Sequence, residues 1–206
     1  REPAVTDHAA APTFEWQLHD LPAAFKRYLW VVALFTLGNS SNMFLLLRAR
    51  ELGVPQAEIP LLWAAVSVVA MLFATPLSAL SDRVGRVRLL VSGYVAYALF
   101  YLGMGMIRHD GVAMFALFAF YGLFLAATEG VEKALVADLA PASRRGAAFG
   151  WFNLTTGLFL LPASLVFGEL YQALSPAVAF GFSAGCAVLA AVLLKFWVRA
   201  ESPLQA

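Results

Sequence analysis

Six stretches of this chain are apolar and long enough to cross a lipid bilayer, and no other feature of the sequence constrains its fold as strongly. A membrane-spanning helix needs about 20 mostly apolar residues. Such runs lie at about 28–47, 59–80, 88–107, 112–136, 146–170 and 176–198. They are too long and too continuous for the strands of a membrane barrel, which alternate over about 10 residues. Inside lipid a segment must satisfy its own backbone N–H and C=O groups, so the runs predict helices. The chain is 61% hydrophobic and only 13% charged, where a soluble domain carries about 25% charged residues. The expectation is an all-α membrane protein surrounded by the lipid bilayer. Residues 1–27 form a linker or interfacial segment, 28–199 the membrane domain and 200–206 a tail. The spans leave no room for a separate soluble domain.

Several function classes fall away on the same counts. Lys and Arg total 14 against 13 Asp and Glu, a net charge of +1, so no clustered basic face for nucleic acid is expected. One cysteine, Cys186, rules out a disulfide framework or a multi-cysteine metal site. The three histidines are His8, His19 and His109, and none falls within a span. No metal and no cofactor is expected. Phosphate-binding loops, nucleophile elbows and zinc-protease helices are absent from the sequence. An intramembrane enzyme would need a catalytic pair at one depth, so the expectation is no enzyme. Ahead of the first span there is no short apolar core with a small-residue cleavage site, so no signal peptide is expected there. The segment Phe14-Glu15-Trp16-Gln17-Leu18-His19-Asp20-Leu21 mixes aromatic and charged residues. It reads equally as an interfacial segment or as a linker.

Basic residues near span ends set orientation. Lys26, Arg27, Arg83, Arg86, Arg88, Lys133, Arg144, Arg145, Lys195 and Arg199 fall on one side, and Arg48, Arg50 and Arg108 on the other. The bias predicts a multi-pass protein of the inner or plasma membrane with both termini in the cytoplasm. The loops after the second and fourth spans are then cytoplasmic.

The first of these loops reads Ser78-Ala79-Leu80-Ser81-Asp82-Arg83-Val84-Gly85-Arg86-Val87-Arg88. Two long helices reverse tightly here, and Gly85 admits the positive φ that a tight turn needs. Asp82 sits at a helix C-terminus, where the dipole disfavours a bare carboxylate, so a paired cation or a neighbouring helix N-terminus is expected. The second loop reads Asp138-Leu139-Ala140-Pro141-Ala142-Ser143-Arg144-Arg145-Gly146. Pro141 should stop the fourth helix and Ser143 cap the fifth.

The first loop resembles the signature loop of the major facilitator superfamily, G-x-L-a-D-R-x-G-R-[KR]. Leu80, Asp82, Arg83, Gly85 and Arg86 match it; Ser78 and Val87 depart. Asp138 and Arg145 resemble an acidic-x6-Arg element at the equivalent loop of sugar-porter members. Arg145-Gly146 and Gly150 are similar to the start of the following helix across the superfamily. Arg1-Glu2-Pro3 and Arg199-Ala200-Glu201-Ser202-Pro203 look like two copies of one helix-exit signal. The resemblance implies the second half of a twelve-helix transporter: six helices in two inverted three-helix repeats. It implies a partner as well, an N-terminal six-helix half from the same gene or a second copy.

In that family the first helix of each repeat lines the cavity and the third is peripheral. From Leu89 to Ile107 the third span of the first repeat carries no ionisable side chain except tyrosine, its counterpart carries no Asp, Glu, Lys, Arg or His from Ala177 to Leu194, and the first span of each repeat is polar. Tyr97 and Tyr101 then read as ordinary lipid or core residues. Candidate cavity residues are Asn39, Asn42, Tyr121, Glu129 and Asn153. Asn39 and Asn42 share a helix face, and Gly38-Asn39-Ser40-Ser41 is a poor helix-forming run. They read as solute contacts or as interhelical hydrogen bonds. Glu129 lies within the hydrocarbon, where a charge costs about 2.5–3.5 kcal/mol. It reads as a proton-coupling carboxylate or as a structural pair with Lys133. Asp82, Arg83, Gly85, Arg86, Asp138 and Arg145 are expected to form a cytoplasmic gate, with Glu132 on the same surface. Gly146-x-x-x-Gly150 and Gly181-x-x-x-Gly185 are expected at close helix contacts. Pro76 and Pro162 should kink the second and fifth helices.

The sequence thus predicts a secondary transporter, a permease or efflux protein, moving a small-molecule substrate by alternating access with ion coupling, the proton being the candidate ion. The alternative is a non-transporting structural or regulatory membrane subunit.

Overall fold

A computed structural model describes residues 18–107 and 111–198. The sequence features at Arg1–Pro3, Phe14–Gln17, Arg108, His109 and 199–206 lie outside the described residues. Among the described residues seven α-helices build the membrane domain: α1 Ala23–Gly38, α2 Met43–Glu51, α3 Ile59–Val84, α4 Arg86–Met106, α5 Gly111–Leu139, α6 Arg145–Ala173 and α7 Pro176–Trp197. α1 and α2 are two parts of one span, Ala23–Glu51, so six spans cross the bundle. The first span runs several residues beyond the expected one at both ends, and the second, fourth and fifth run three or four residues further at their C-terminal ends, because polar residues extend the helices beyond the apolar runs.

The loops follow their chemistry. Gly85 alone separates α3 from α4, with φ 101° and ψ 133°, a conformation costly for any residue with a Cβ. Pro141 follows the end of α5 and opens a 3-10 turn at Ala142–Arg144. Ser143 lies inside that turn, and the residue before α6 is Arg144, with no side-chain cap. The expected Ser143 cap is therefore not made. Ser175 does cap a helix: its Oγ accepts from the Val178 N–H at 3.3 Å at the start of α7.

The packing repeats. α3 packs on α5 as α6 packs on α1, α4 packs on α5 as α7 packs on α1, and α4 and α7 pack on each other. Exchanging α1–α3–α4 with α5–α6–α7 maps this pattern onto itself, as two inverted three-helix units require. Pro76 and Pro162 lie inside α3 and α6, the helices this exchange relates.

Close approach comes from glycines other than the expected ones. A Cβ on Gly38 would meet the Cys186 Cβ of α7 at 2.5 Å, and one on Gly122 would meet the Val66 carbonyl of α3 at 2.6 Å. Gly146, Gly181 and Gly185 have nothing within 4 Å of such a Cβ. The close helix contacts expected from the small-residue spacing are therefore not made at these three glycines.

α3 and α6 stand apart. Only 11% and 17% of their apolar windows are buried, against 44–50% for the other four spans. Met71, Leu72, Leu158, Leu161 and Leu165 are among their exposed side chains.

Candidate functional site

The first span breaks at Asn39–Asn42. Gly, Asn and Ser propagate a helix poorly. α1 ends at Gly38, and Asn39 takes φ −92° and ψ 78°. α2 restarts at Met43. A break within the membrane must be satisfied by protein or by water in a cavity. Here two tyrosines meet it. The Tyr97 hydroxyl of α4 donates to the Gly38 carbonyl at 3.1 Å and lies 3.3 Å from Asn39 Oδ1. The Tyr121 hydroxyl of α5 donates to Asn42 Oδ1 at 3.1 Å. Asn39 is half-buried and Asn42 exposed, so both amides make interhelical bonds, and Asn42 also faces outward.

Tyr97 is a core residue as expected, but its hydroxyl is the anchor of the break, a role the sequence reading missed. Tyr94, Tyr97 and Tyr101 follow one face of α4 and are fully buried. Their helical spacing was the available signal. Phe35 stacks on Tyr94 at 4.0 Å between ring centroids, and Tyr97 stacks on Tyr101 at 4.1 Å.

Further toward the basic end, Glu129 lines a groove of about 390 Å³ between α3 and α5, with Ala70, Met71, Ala74, Leu125, Ala126, Gly130 and Lys133. Glu129 and Lys133 are both exposed. Among the described residues they form no ion pair with each other, so the structural Glu129–Lys133 pair is not made. One turn of helix brings them to the same groove without bringing the charged atoms into contact. Glu132 does not join the surface charges. It lies beside the buried Val131 and Leu135 on the inward face of α5, where it accepts from the Tyr94 hydroxyl at 3.0 Å. Asn153 is exposed on α6.

At the basic end Arg86 joins three helices. Its Nε lies 2.8 Å from Asp138 Oδ2 at the end of α5, and its Nη2 3.5 Å from Asp82 Oδ1 at the end of α3. Asp82 thus has the cation its helix end calls for. Arg145 Nε donates instead to the Ala137 carbonyl at 3.2 Å, so Asp138 and Arg145 share a loop without pairing. Arg83 is exposed. Arg144 Nη1 bonds Asp20 Oδ2 at 2.8 Å, tying the segment before α1 to the start of α6. Among the described residues no group of three His, Cys, Asp or Glu side chains is placed to hold a metal.

Comparison with known proteins agrees with this architecture. The family model described as Major Facilitator Superfamily matches residues 29–206. An uncharacterised MFS-type transporter of Methanocaldococcus jannaschii is 35% identical over 190 residues, covering 89% of this chain and 47% of that protein. The class B tetracycline resistance protein of Escherichia coli is 28% identical over 138 residues, covering 67% of this chain and 34% of that one. The chain therefore spans about half the length of the first relative and a third of the second.

Proposed function

The chain belongs to the major facilitator superfamily and is a multi-pass integral membrane protein, and on that premise we propose that it moves a small polar or amphipathic solute by alternating access, driven by an ion gradient. The observation that carries this reading is the break at Asn39–Asn42. Its amides sit where α1, α2, α4 and α5 meet, and Asn42 keeps an exposed side chain at mid-span. A polar, interrupted helix at that depth is tolerated only against protein or a water-filled cavity; the two tyrosines satisfy part of it, and the exposed Asn42 side chain is the part left for solute.

Glu129 extends this polar path toward the basic end, where it is the carboxylate available to take up a coupling proton. The Asp82–Arg86–Asp138 contact is the gate on that side, which we place in the cytoplasm with both termini. Such a contact closes one side only if it breaks when the other closes. The uncovered faces of α3 and α6 take the partner six-helix bundle, from the same gene or a second copy.

The test is solute-dependent proton flux in proteoliposomes containing the purified protein. A panel of a sugar, an amino acid, an organic anion and tetracycline spans the candidate classes; the last is included because one relative is named for resistance to it. One class should move protons, and N42A should abolish that flux. Flux that survives N42A would remove the break from the path. No flux from any member, with the protein folded, would favour a non-transporting subunit.

A further inference from the structure

The groove between α3 and α5 holds two opposite charges that do not meet. Glu129 and Lys133 both line it, and Ala70, Met71 and Ala74 of α3 form the facing wall. Glu followed four residues later by Lys is the favoured order for a helical ion pair. Among the described residues that pair is not made, and both side chains are exposed. The third charge nearby, Glu132, does not line the groove; it accepts from the Tyr94 hydroxyl on the inward face of α5. Leu139 ends α5, so Glu129 lies about 15 Å from the basic end of the helix. A charge at that depth must face water or protein rather than lipid. A Cβ on Gly130 would meet nothing within 4 Å, so the groove stands open beside the two charges.

Separated opposite charges on apolar walls select what fits. A solute with one charge would satisfy one side chain and leave the other uncompensated, which is costly away from water. An uncharged solute would leave both. We propose that this groove binds a zwitterion, an α-amino acid, with its ammonium on Glu129 and its carboxylate on Lys133. The solute ammonium donates to the Glu129 carboxylate and the Lys133 ammonium donates to the solute carboxylate, so both ends make charge-assisted hydrogen bonds. A volume of about 390 Å³ lies toward the small end of ligand-binding pockets, and Met71 and the alanines suit an aliphatic side chain. The proposal rests on the transport reading and names the solute class for the same groove, with Glu129 meeting either the coupling proton or the solute's ammonium.

The test follows thermal unfolding of the purified protein with L-alanine and L-leucine. Each is compared with its amide, which lacks the carboxylate, and its N-acetyl form, which lacks the ammonium. A ligand that binds the folded protein raises Tm. At least one of the two amino acids should do so saturably, with an apparent affinity about tenfold or more above that of either analogue. E129Q and K133Q should each remove that preference. G130L, which fills the groove and keeps both charges, should remove the response. E129K combined with K133E restores one charge of each sign and should recover part of it. Glu129, Gly130 and Lys133 are all exposed, and the ligand-free Tm of each variant reports that it is folded. Equal shifts from the amino acids and their analogues, or no shift at all, would overturn the proposal. So would a preference that persists in E129Q and K133Q. Saturable binding in a protein that moves no solute would leave this site standing and the transport reading failed; flux of another solute without an amino-acid response would do the reverse.

Discussion

At the scale of single residues, hydroxyls and carboxylates carry the argument. Tyr97 holds the end of α1 and Tyr121 the start of α2. Y97F keeps the ring stacking and removes one shared proton, so it should cost about 1 kcal/mol. A lowered Tm in Y97F relative to the unchanged protein checks this. Asp20 gives a pH prediction. The His19 side-chain hydrogen bond, and after it the Arg144 contact, hold its carboxyl below the usual carboxylate range. A lowered folded pKa means the contact stabilises above the unfolded value and is lost as pH falls through the folded one. Proteolysis near Leu18–Pro22 should therefore rise as pH drops through and below the carboxylate range, and D20N should flatten that dependence. Asn39 and Asn42 were legible in the sequence because two amides in a poor helix-forming run stand out. Their partners were not, because a tyrosine in an apolar span looks the same whether its hydroxyl is anchored or idle. Glu129 and Glu132 show the same limit. Both are carboxylates within one turn of α5, and only the packing of α4 decides which turns inward.

At the scale of elements, the spans and their breakers were legible: Gly85 turns, Pro141 stops and the Gly38–Ser41 run interrupts the helix as its composition requires. Which glycines seat a contact was not, since small-residue spacing marks a face and says nothing of what covers it. Gly122 packs against α3 backbone, so G122A must push α3 and α5 apart. It should destabilise by about 1–3 kcal/mol, whereas G181A, which meets open space, should be near neutral or slightly stabilising. Thermal melts of the two variants side by side check the assignment. The Arg86–Asp138 contact ties α4 to α5 across the basic end. R86D should lose it, and R86D combined with D138R should recover part of the loss. A coupling of about 0.5–1 kcal/mol is expected for so exposed a pair, read from a double-mutant cycle.

At the scale of the whole molecule, the bundle is two inverted units with one pair of helices left largely uncovered. The resemblance in the loops pointed to that architecture, and the exchange-symmetric packing and the family match agree with it. The sequence could not tell lipid-facing from protein-facing apolar surface, since both are built from Leu, Val and Met. α3 and α6 show this: their composition matches that of their neighbours, and only burial separates them. The proposed transport path requires that water and solute reach the break and the Glu129 groove within the membrane. The most direct measurement is labelling of N42C, E129C and L189C with a membrane-impermeant maleimide in sealed vesicles, each in a C186A background. Leu189 is an exposed residue of α7 that the account assigns to lipid. N42C and E129C should label and L189C should not, and R86A should increase E129C labelling from the basic side. If N42C and E129C stay as unreactive as L189C, that face meets no water and the proposed path does not exist.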